Sequence, residues 1–130
     1  MKEDISILIV EDCSVMQSVI KKTLSLIGIC ISRLDSAMNG LQGLKMIDKH
    51  EYDIIMIDLN MPEMDGMEMI DKLKHLPKTV DIPLLVVSAD IQKSDNELFT
   101  SKNVKFIQKP FKPEELRNSI LELMSANYHT

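Results

Sequence analysis

The sequence predicts an α/β domain built on a doubly wound, five-stranded parallel sheet. Five short apolar segments alternate with segments of helical periodicity, and the connections between them are short. The apolar segments are hydrophobic at nearly every position, which is typical of strands covered on both faces. Because crossovers between parallel strands are right-handed, we expect helices on both sides of the sheet.

The apolar segments place the five strands at residues 5–10, 29–34, 52–57, 82–87 and 104–107. Five helices are expected: over 13–27 with Gly28 as a stop, from an N-cap at Ser36, after Gly66, between 91 and 101, and from Pro113 onward. Their inward faces are predicted from apolar spacing. These faces are Val15, Met16, Val19, Ile20, Leu24 and Ile27; Ala37, Leu41, Leu44 and Ile47; Met67, Ile70 and Leu73; and Leu116, Ile120, Leu123 and Met124.

Length and composition favour a single globular domain over residues 1–130. The chain is 45% hydrophobic and 27% charged, and we interpret residues 125–130 as a chain end, not a linker. The net charge of −5 and the scattered lysines argue against direct nucleic-acid binding. No apolar stretch approaches the roughly 20 residues of a membrane span, and the first residues lack an apolar core of signal-peptide length. We therefore expect a cytoplasmic protein without membrane insertion.

The cysteines and histidines are not expected to bind metal. Cys13 and Cys30 are too far apart for a CxxC site or a disulfide framework, and we predict that both are buried thiols in a reducing cytosol. His50, His75 and His129 have no partner at ligand spacing and are expected at the surface.

Chemically reactive side chains follow four of the predicted strands. Glu11 and Asp12 follow the first strand, Asp58 the third, Ser88 the fourth and Lys109 the fifth. In open parallel sheets, ligands bind beyond the carboxyl ends of the strands. We therefore expect three carboxylates, a hydroxyl and an ammonium at one edge of the sheet.

Three clustered carboxylates require a counter-charge. Two unit charges about 4 Å apart repel by roughly 4 kcal/mol at an effective dielectric constant near 20. Ligands that are all oxygens favour Mg²⁺ over Zn²⁺. An oxygen of Asp58 could then attack phosphorus in line, while the cation and Lys109 neutralise the transferring group.

Four segments of the chain resemble the response-regulator receiver domains, in particular the small chemotaxis-type members without an output domain. They are IVED (9–12), MIDLNMPEMDG (56–66), PLLVVSA (83–89) and FIQKPF (106–111). The resemblance covers the whole chain and implies a flavodoxin-like strand order 2-1-3-4-5. It also implies a two-component switch that receives a phosphoryl group from a histidine kinase or phosphotransfer protein.

The resemblance also assigns roles at the acidic edge. Asp58 is implied to be the phosphoacceptor, and Asp12 a Mg²⁺ ligand with Glu11 beside it. Asn60 is implied to bind the same ion through its backbone carbonyl. Asn60 and Asp90, two residues beyond site residues, are expected to tune the lifetime of the acyl phosphate.

Further implied roles connect this edge to a partner surface. Ser88 and Lys109 are implied to contact the phosphoryl oxygens, and the Lys109-Pro110 peptide to be cis. Phe106 matches the aromatic residue whose rotamer follows Ser88. The downstream effector protein is expected to bind the face formed by the 91–101 helix, the fifth strand and the last helix.

Three positions depart from the family's usual residues. Gln17 stands where many relatives carry Arg, Gly43 where Ala is common, and Phe106 where chemotaxis members often have Tyr. None is expected to touch the acceptor chemistry. The missing hydroxyl of Phe106 places in doubt any output contact that needs a Tyr hydrogen bond.

Other interpretations stay open for single residues. Glu11 and Asp12 alone are compatible with capping of the first helix, since Asp is a favoured N-cap. Asp58 alone could be a solvated strand-end residue, and Phe106 could be ordinary core. The combination of the acids with Lys109 favours the phosphoacceptor hypothesis.

Three other functions share some features with the switch. A Mg²⁺-dependent phosphohydrolase resembling the haloacid dehalogenases needs a second Asp two residues after the nucleophile, where this chain has Asn60. A module that has lost phosphorylation usually lacks an acid, the acceptor or the Lys, all of which are present. The chain could also be the receiver part of a longer regulator with an output domain.

Overall fold

The computed structural model describes residues 4–59, 66–89 and 103–128. Within these ranges the elements are β1 (Ile5–Val10), α1 (Ser14–Leu26), β2 (Ile31–Ala37), α2 (Gly40–Lys49), β3 (Ile54–Asp58), α3 (Gly66–Lys74), β4 (Leu84–Ser88), β5 (Val104–Gln108) and α4 (Pro113–Tyr128). The strands form one parallel sheet in the order β2-β1-β3-β4-β5. The fold class and the strand order are confirmed. The helix expected between 91 and 101 lies outside the described residues.

Two apolar layers cover the sheet, one on each face. Successive strand residues point to opposite faces, so strands that are apolar throughout contribute to both layers. One layer packs against α2 and α3 and includes Leu8, Val10, Ile55, Ile57, Leu84, Val86, Met69, Ile70 and Leu73. The other packs against α1 and α4 and includes Ile7, Ile9, Ile54, Met56, Leu85, Val87, Ile20, Leu24, Leu116, Ile120 and Leu123.

The start of α2 differs from the prediction. Ser36 does not cap the helix, because it lies in β2, which continues through Ala37 as the parallel partner of β1. Asn39 is the N-cap, and its side chain accepts a 2.9 Å hydrogen bond from the backbone N–H of Gln42. Leu41 is consequently exposed instead of buried. Pairing along β1 has outweighed a local capping preference, as tertiary context often does.

The inward face of α1 also differs in part. Ile20 and Leu24 are buried as predicted, but Val15 is 70% exposed and Val19 is exposed as well. Gln17 is buried in their place, with 9% of its surface exposed. Its side-chain amide has hydrogen-bond partners there, which removes most of the cost of burying it.

Gly43 brings α2 close to β1 and α3. A Cβ atom at this position would lie 2.8 Å from Met69 Cε and 3.1 Å from Val10 Cγ2. An Ala at position 43 would therefore require Met69 to move.

Several surface predictions can be compared directly. Both cysteines are exposed, so the prediction of buried thiols is wrong. Cys13 is the N-cap of α1 and Cys30 precedes the edge strand β2, so both lie at the ends of elements and not within the two apolar layers. His75 is exposed as predicted, whereas His50 is half-buried with its ring 6.3 Å from that of Tyr52. His129 lies outside the described residues. Among the helices described, none has the length and apolar character that a membrane crossing requires.

Candidate functional site

The three predicted acids meet at the carboxyl edge of the sheet. β1 and β3 are adjacent parallel strands in which Val10 pairs with Ile57, so the residues that follow them lie side by side. Glu11, Asp12 and Asp58 each contribute a carboxylate oxygen, and these oxygens lie within 4.8 Å of one another. The sequence therefore identified a cluster that the fold assembles.

The acids are held in a poorly solvated environment. Glu11 is 2% exposed and Asp58 is 6% exposed, whereas Asp12 is partly exposed. Burial raises the pKa of Asp12, and the hydrogen bond and negative charge of Glu11 raise it further. The cluster thus favours a bound proton or a bound cation.

Lys109 supplies one positive charge to this cluster. Its Nζ lies 3.0 Å from Glu11 Oε1 and 3.4 Å from Asp58 Oδ1. Burial alone would lower the pKa of Lys109, but the hydrogen bond to Glu11 and the charge of Asp58 outweigh burial and raise the pKa. Lys109 is therefore protonated at neutral pH, and its single charge leaves three carboxylates only partly compensated.

The donor set fits Mg²⁺. All three clustered side chains offer carboxylate oxygens, the ligands that this hard cation prefers. Both oxygens of Glu11 already have protein partners: Lys109 Nζ at 3.0 Å and the Cys13 backbone N–H at 3.3 Å. Asn60 lies outside the described residues.

Helix capping does not explain the acid pair. The N-cap of α1 is Cys13, which makes no side-chain capping hydrogen bond. Asp12 precedes this position and Glu11 directly follows β1. The carboxylates of the two acids lie instead in the cluster with that of Asp58.

The strand ends around Asp58 are closely packed. Asp58 pairs with Val87, so Ser88 lies one residue beyond it on the neighbouring strand, where it is fully buried. The Ser88 carbonyl accepts the Lys109 backbone N–H at 2.8 Å. The Lys109-Pro110 peptide is cis, as expected.

Gly66 allows α3 to begin directly against the end of β3. Its N–H donates to the Leu59 carbonyl at 3.0 Å. A Cβ atom at position 66 would lie 2.3 Å from the Asp58 carbonyl oxygen and 2.5 Å from Leu59 Cα. Only glycine fits this approach without a backbone shift.

Phe106 lies on β5, on the same face of the sheet as Ser88 on the neighbouring strand β4. It pairs with Val86 on β4, is half-buried and packs against the layer beneath α2 and α3. Ser88 is two residues beyond Val86 and so lies on the same face of the sheet. Asp90 and the 91–101 segment lie outside the described residues.

Sequence reasoning missed the role of Gln17. The expectation that Gln17 does not touch the acceptor site is wrong in one respect, because its Nε2 donates to the carbonyl of Glu11 at 2.7 Å. The available signal was a polar side chain on the inward stripe of an amphipathic helix.

A family model described as the response regulator receiver domain matches residues 7–121. This chain belongs to the response regulator receiver family. It is a receiver domain of the two-component type, and its fold and acidic cluster agree with that membership.

The curated relatives differ in length. A chemotaxis protein CheY homolog of Campylobacter jejuni is 29% identical over 122 residues, which are 92% of each chain. A protein-glutamate methylesterase/protein-glutamine glutaminase of Koribacter versatilis is 35% identical over 91% of this chain but only 31% of its own length. A probable transcriptional regulator of Porphyra purpurea is 30% identical over 92% of this chain and 56% of its own length. This chain thus spans about a third of the length of the methylesterase and about half of the length of the transcriptional regulator.

Solved structures agree with the fold. The signal receiver domain of a histidine kinase from Syntrophus aciditrophicus superposes with a TM-score of 0.80 at 28% identity, covering 97% of this chain and 94% of that one. The receiver domain of a sensor histidine kinase from Pseudomonas aeruginosa gives 0.80 at 26% identity and covers 94% and 98%. That structure has a magnesium ion coordinated in its active-site cleft.

Proposed function

We propose that this receiver accepts a phosphoryl group on Asp58 from a histidine kinase or a phosphotransfer protein, in a Mg²⁺-dependent reaction. The observation that carries the proposal is the position of Lys109 Nζ between Glu11 Oε1 and Asp58 Oδ1, inside a cluster of three carboxylates. A carboxylate oxygen beside an ammonium is suited to accept a phosphoryl group, because the carboxylate is a nucleophile and the ammonium can bind the phosphoryl oxygens.

The chemistry follows from these positions. An oxygen of Asp58 attacks phosphorus, the phosphorus–nitrogen bond of the donor phosphohistidine breaks, and the imidazole leaves with the electron pair. Lys109 neutralises phosphoryl oxygens during the transfer, and the Ser88 hydroxyl hydrogen-bonds to one of them. Asp12, Asp58 and the carbonyl of Asn60 would hold Mg²⁺, with Glu11 beside them. When bound, this ion supplies further neutralisation of the transferring oxygens.

We propose that the phosphorylated protein acts through a partner protein and not through turnover of a substrate. Phosphorylation adds about −1.5 to −2 charges and three acceptor oxygens, which draw Ser88 and Lys109 toward Asp58. Phe106 lies on the same sheet face as Ser88 and can occupy the space that Ser88 leaves. The effector would bind the face formed by residues 91–101, β5 and α4, and the unphosphorylated protein would bind it weakly.

The lifetime of the acyl phosphate is proposed to depend on Asn60 and Asp90, which are small and polar and admit water. Asn60→Arg, which would cover the phosphoryl group, should lengthen the lifetime. An unchanged or shorter lifetime would contradict this role.

The first experiment tests the acceptor. With a small-molecule phosphodonor and Mg²⁺, the wild type should gain one phosphoryl group that hydroxylamine removes, and Asp58→Asn should gain none. Asp53→Asn is the matched control, because Asp53 binds Ser6 just before β3 begins, at the opposite end of that strand. Labelling of Asp58→Asn, or a label that resists hydroxylamine, would contradict the proposal. Turnover of added phosphoesters would favour the phosphohydrolase instead.

The second experiment tests the route to the partner surface. Chemical-shift changes on addition of beryllofluoride, a phosphoryl mimic, should extend from Asp58 to Lys105–Ile107. Ser88→Ala and Phe106→Ala should reduce phosphorylation-dependent binding of the partner. Shift changes confined to the acidic cluster would rule out this route.

A further inference from the structure

Gln17 is a buried amide on an otherwise apolar helix face. It lies in the first turn of α1, between the helix N-terminus and the inward residues Ile20 and Leu24. A buried amide without partners costs several kcal/mol. Every buried side-chain N or O atom in the described residues nevertheless has a hydrogen-bond partner, so the partners of Gln17 indicate what the residue does.

The amide group of Gln17 holds two strand ends together. Nε2 donates to the Glu11 carbonyl at 2.7 Å and to the Ala37 carbonyl at 3.2 Å, and it contacts Met38 Sδ at 3.3 Å. Carbonyl oxygens only accept hydrogen bonds, so the NH₂ group and not the amide oxygen must face them. The two N–H groups of the amide are enough for the two carbonyl acceptors. The Met38 sulfur is the weakest of the three acceptors.

These bonds fix the backbone that carries the acids. The Ala37 carbonyl also accepts the N–H of Glu11 at 3.0 Å. The backbone N–H of Glu11 is therefore held by the end of β2, and its backbone carbonyl is held by Gln17. The Glu11 carbonyl belongs to the peptide whose nitrogen is that of Asp12. Its orientation sets where the Asp12 carboxylate lies relative to Asp58.

We propose that Gln17 is a positioning residue for the metal site: its amide orients the Glu11–Asp12 peptide so that the carboxylate of Asp12 converges with that of Asp58 on Mg²⁺. This inference rests on the proposed function, because a positioning residue needs a metal site to position. Outer partners of metal ligands act in this way by fixing ligand orientation.

The chain offers a matched control. Lys21 lies one turn further along α1, and its Nζ donates to Ser36 Oγ at 3.1 Å. This bond also joins α1 to β2, but it makes no contact with the Glu11–Asp12 peptide. Replacing Gln17 by Met keeps the length of the side chain, and replacing Lys21 by Met shortens it by one atom. Both substitutions remove the hydrogen-bond donor.

The test measures Mg²⁺ affinity by calorimetry and stability by chemical denaturation in EDTA. Gln17→Met should weaken Mg²⁺ binding about tenfold. Lys21→Met should leave the dissociation constant within about twofold, whatever it does to stability. In metal-free Gln17→Met, the amide ¹⁵N resonance of Asp12 should shift, because the carbonyl of that peptide has lost its donor.

The outcomes separate this inference from the proposed function. A wild type that binds no Mg²⁺ contradicts both. A wild type that binds Mg²⁺ while Gln17→Met binds it equally tightly, or while Lys21→Met weakens binding as much, contradicts this inference alone. If Gln17→Met does not fold, the wild type decides: the Gln17 side-chain NH₂ should resist hydrogen exchange and shift with Mg²⁺, unlike that of exposed Gln42. Rapid exchange at Gln17 would overturn the inference.

Discussion

Two groups of ionisable side chains on this sheet differ in how far the charge of a poorly solvated carboxylate is compensated. On β2, Asp35 accepts a 2.6 Å hydrogen bond from the hydroxyl of buried Tyr52 and lies 3.2 Å from the guanidinium of Arg33. At the carboxyl edge, Asp12 lies among two other carboxylates, and within the described residues the ammonium of Lys109 is the one positive charge bound to this cluster. The first group is supplied with donors, and the second is short of positive charge.

The pKa shifts express this difference. Burial alone would raise the pKa of Asp35, but the hydrogen bonds from Tyr52 and Arg33 outweigh burial and lower the pKa. Burial raises the pKa of Asp12, and Glu11 raises it further. Ionised Asp35 therefore stabilises the fold, whereas ionised Asp12 costs stability until a cation binds. Functional sites commonly retain such unfavourable charge.

The largest effect is expected from removing the Lys109 ammonium from the acidic edge. Lys109→Met leaves Glu11 and Asp58 buried without it, which should lower the free energy of unfolding in EDTA by about 3 kcal/mol. Mg²⁺ should restore part of the loss. Urea denaturation checks this, with Lys78→Met as the control, because Lys78 is exposed and 3.9 Å from exposed Asp48. An unchanged unfolding free energy for Lys109→Met would mean that the edge is not short of positive charge.

Neutralising a carboxylate of the same edge should have the opposite sign. Asp12→Asn removes repulsion within the cluster and should stabilise the metal-free protein by about 1 kcal/mol at pH 7. This is well below the roughly 4 kcal/mol of a pair about 4 Å apart at an effective dielectric constant near 20, because Asp12 is partly exposed. The pKa of Asp12 is raised, so its contribution to stability is present below the ordinary value near 3.8 and is lost as pH rises through the folded-state pKa. The variant should lack this loss.

The same variant should also lose stabilisation by Mg²⁺. Denaturation with and without the ion measures both effects. Asp48→Asn, an exposed acid on α2, is the control and should change neither. Destabilisation of metal-free Asp12→Asn would contradict the comparison between the two groups.

The acidic edge was accessible to sequence reasoning because its residues follow buried strands. Once five apolar segments are recognised as parallel strands, Glu11, Asp58, Ser88 and Lys109 must lie at one edge, whatever the details of the helices. Strand burial and strand-end chemistry are thus encoded locally. The strand order itself came from the resemblance to receivers.

The remaining details depend on contacts between distant segments. Ser36 has the composition of an N-cap, but pairing with β1 keeps it in β2. Val15 and Val19 have helical spacing, yet both are exposed. The amide of Gln17 binds two carbonyls at strand ends, and the buried face of α1 consists of Gln17, Ile20 and Leu24. Those carbonyl partners are 6 and 20 residues away, and no local pattern reveals them.

The β2 group can be tested by removing its phenol hydroxyl. Tyr52→Phe should cost about 1.5 kcal/mol at pH 7, because the hydrogen bond is to a charged acceptor. The pKa of Asp35 is lowered, so its contribution is present above about 3.8 and lost as pH falls through the folded-state pKa. The difference in unfolding free energy between the wild type and Tyr52→Phe should therefore shrink as pH falls through the folded-state pKa of Asp35.

The alkaline limb gives a second measure of the same contact. Burial, followed by the hydrogen bond to Asp35, raises the pKa of Tyr52 well above its ordinary value of 10.0. Wild-type stability should fall as pH rises above 10, because the tyrosine ionises first in the unfolded chain, and Tyr52→Phe should lack the part of this fall that comes from Tyr52. Adding Asp35→Asn tests the pair: if the two substitutions are additive, Tyr52 and Asp35 do not stabilise each other.

The smallest effect is expected at the exposed side of the β2 group. Arg33 is 46% exposed, so Arg33→Gln should cost only about 0.3 kcal/mol despite the 3.2 Å distance to Asp35. At about 1 M salt, where screening acts over roughly 3 Å, this cost should disappear. The cost of Lys109→Met should persist at the same salt concentration, because Glu11 and Asp58 are buried and salt screens them less. Unfolding free energies at low and high salt decide the point. Equal salt dependence of the two variants would show that solvent reaches the acidic edge as freely as it reaches Arg33.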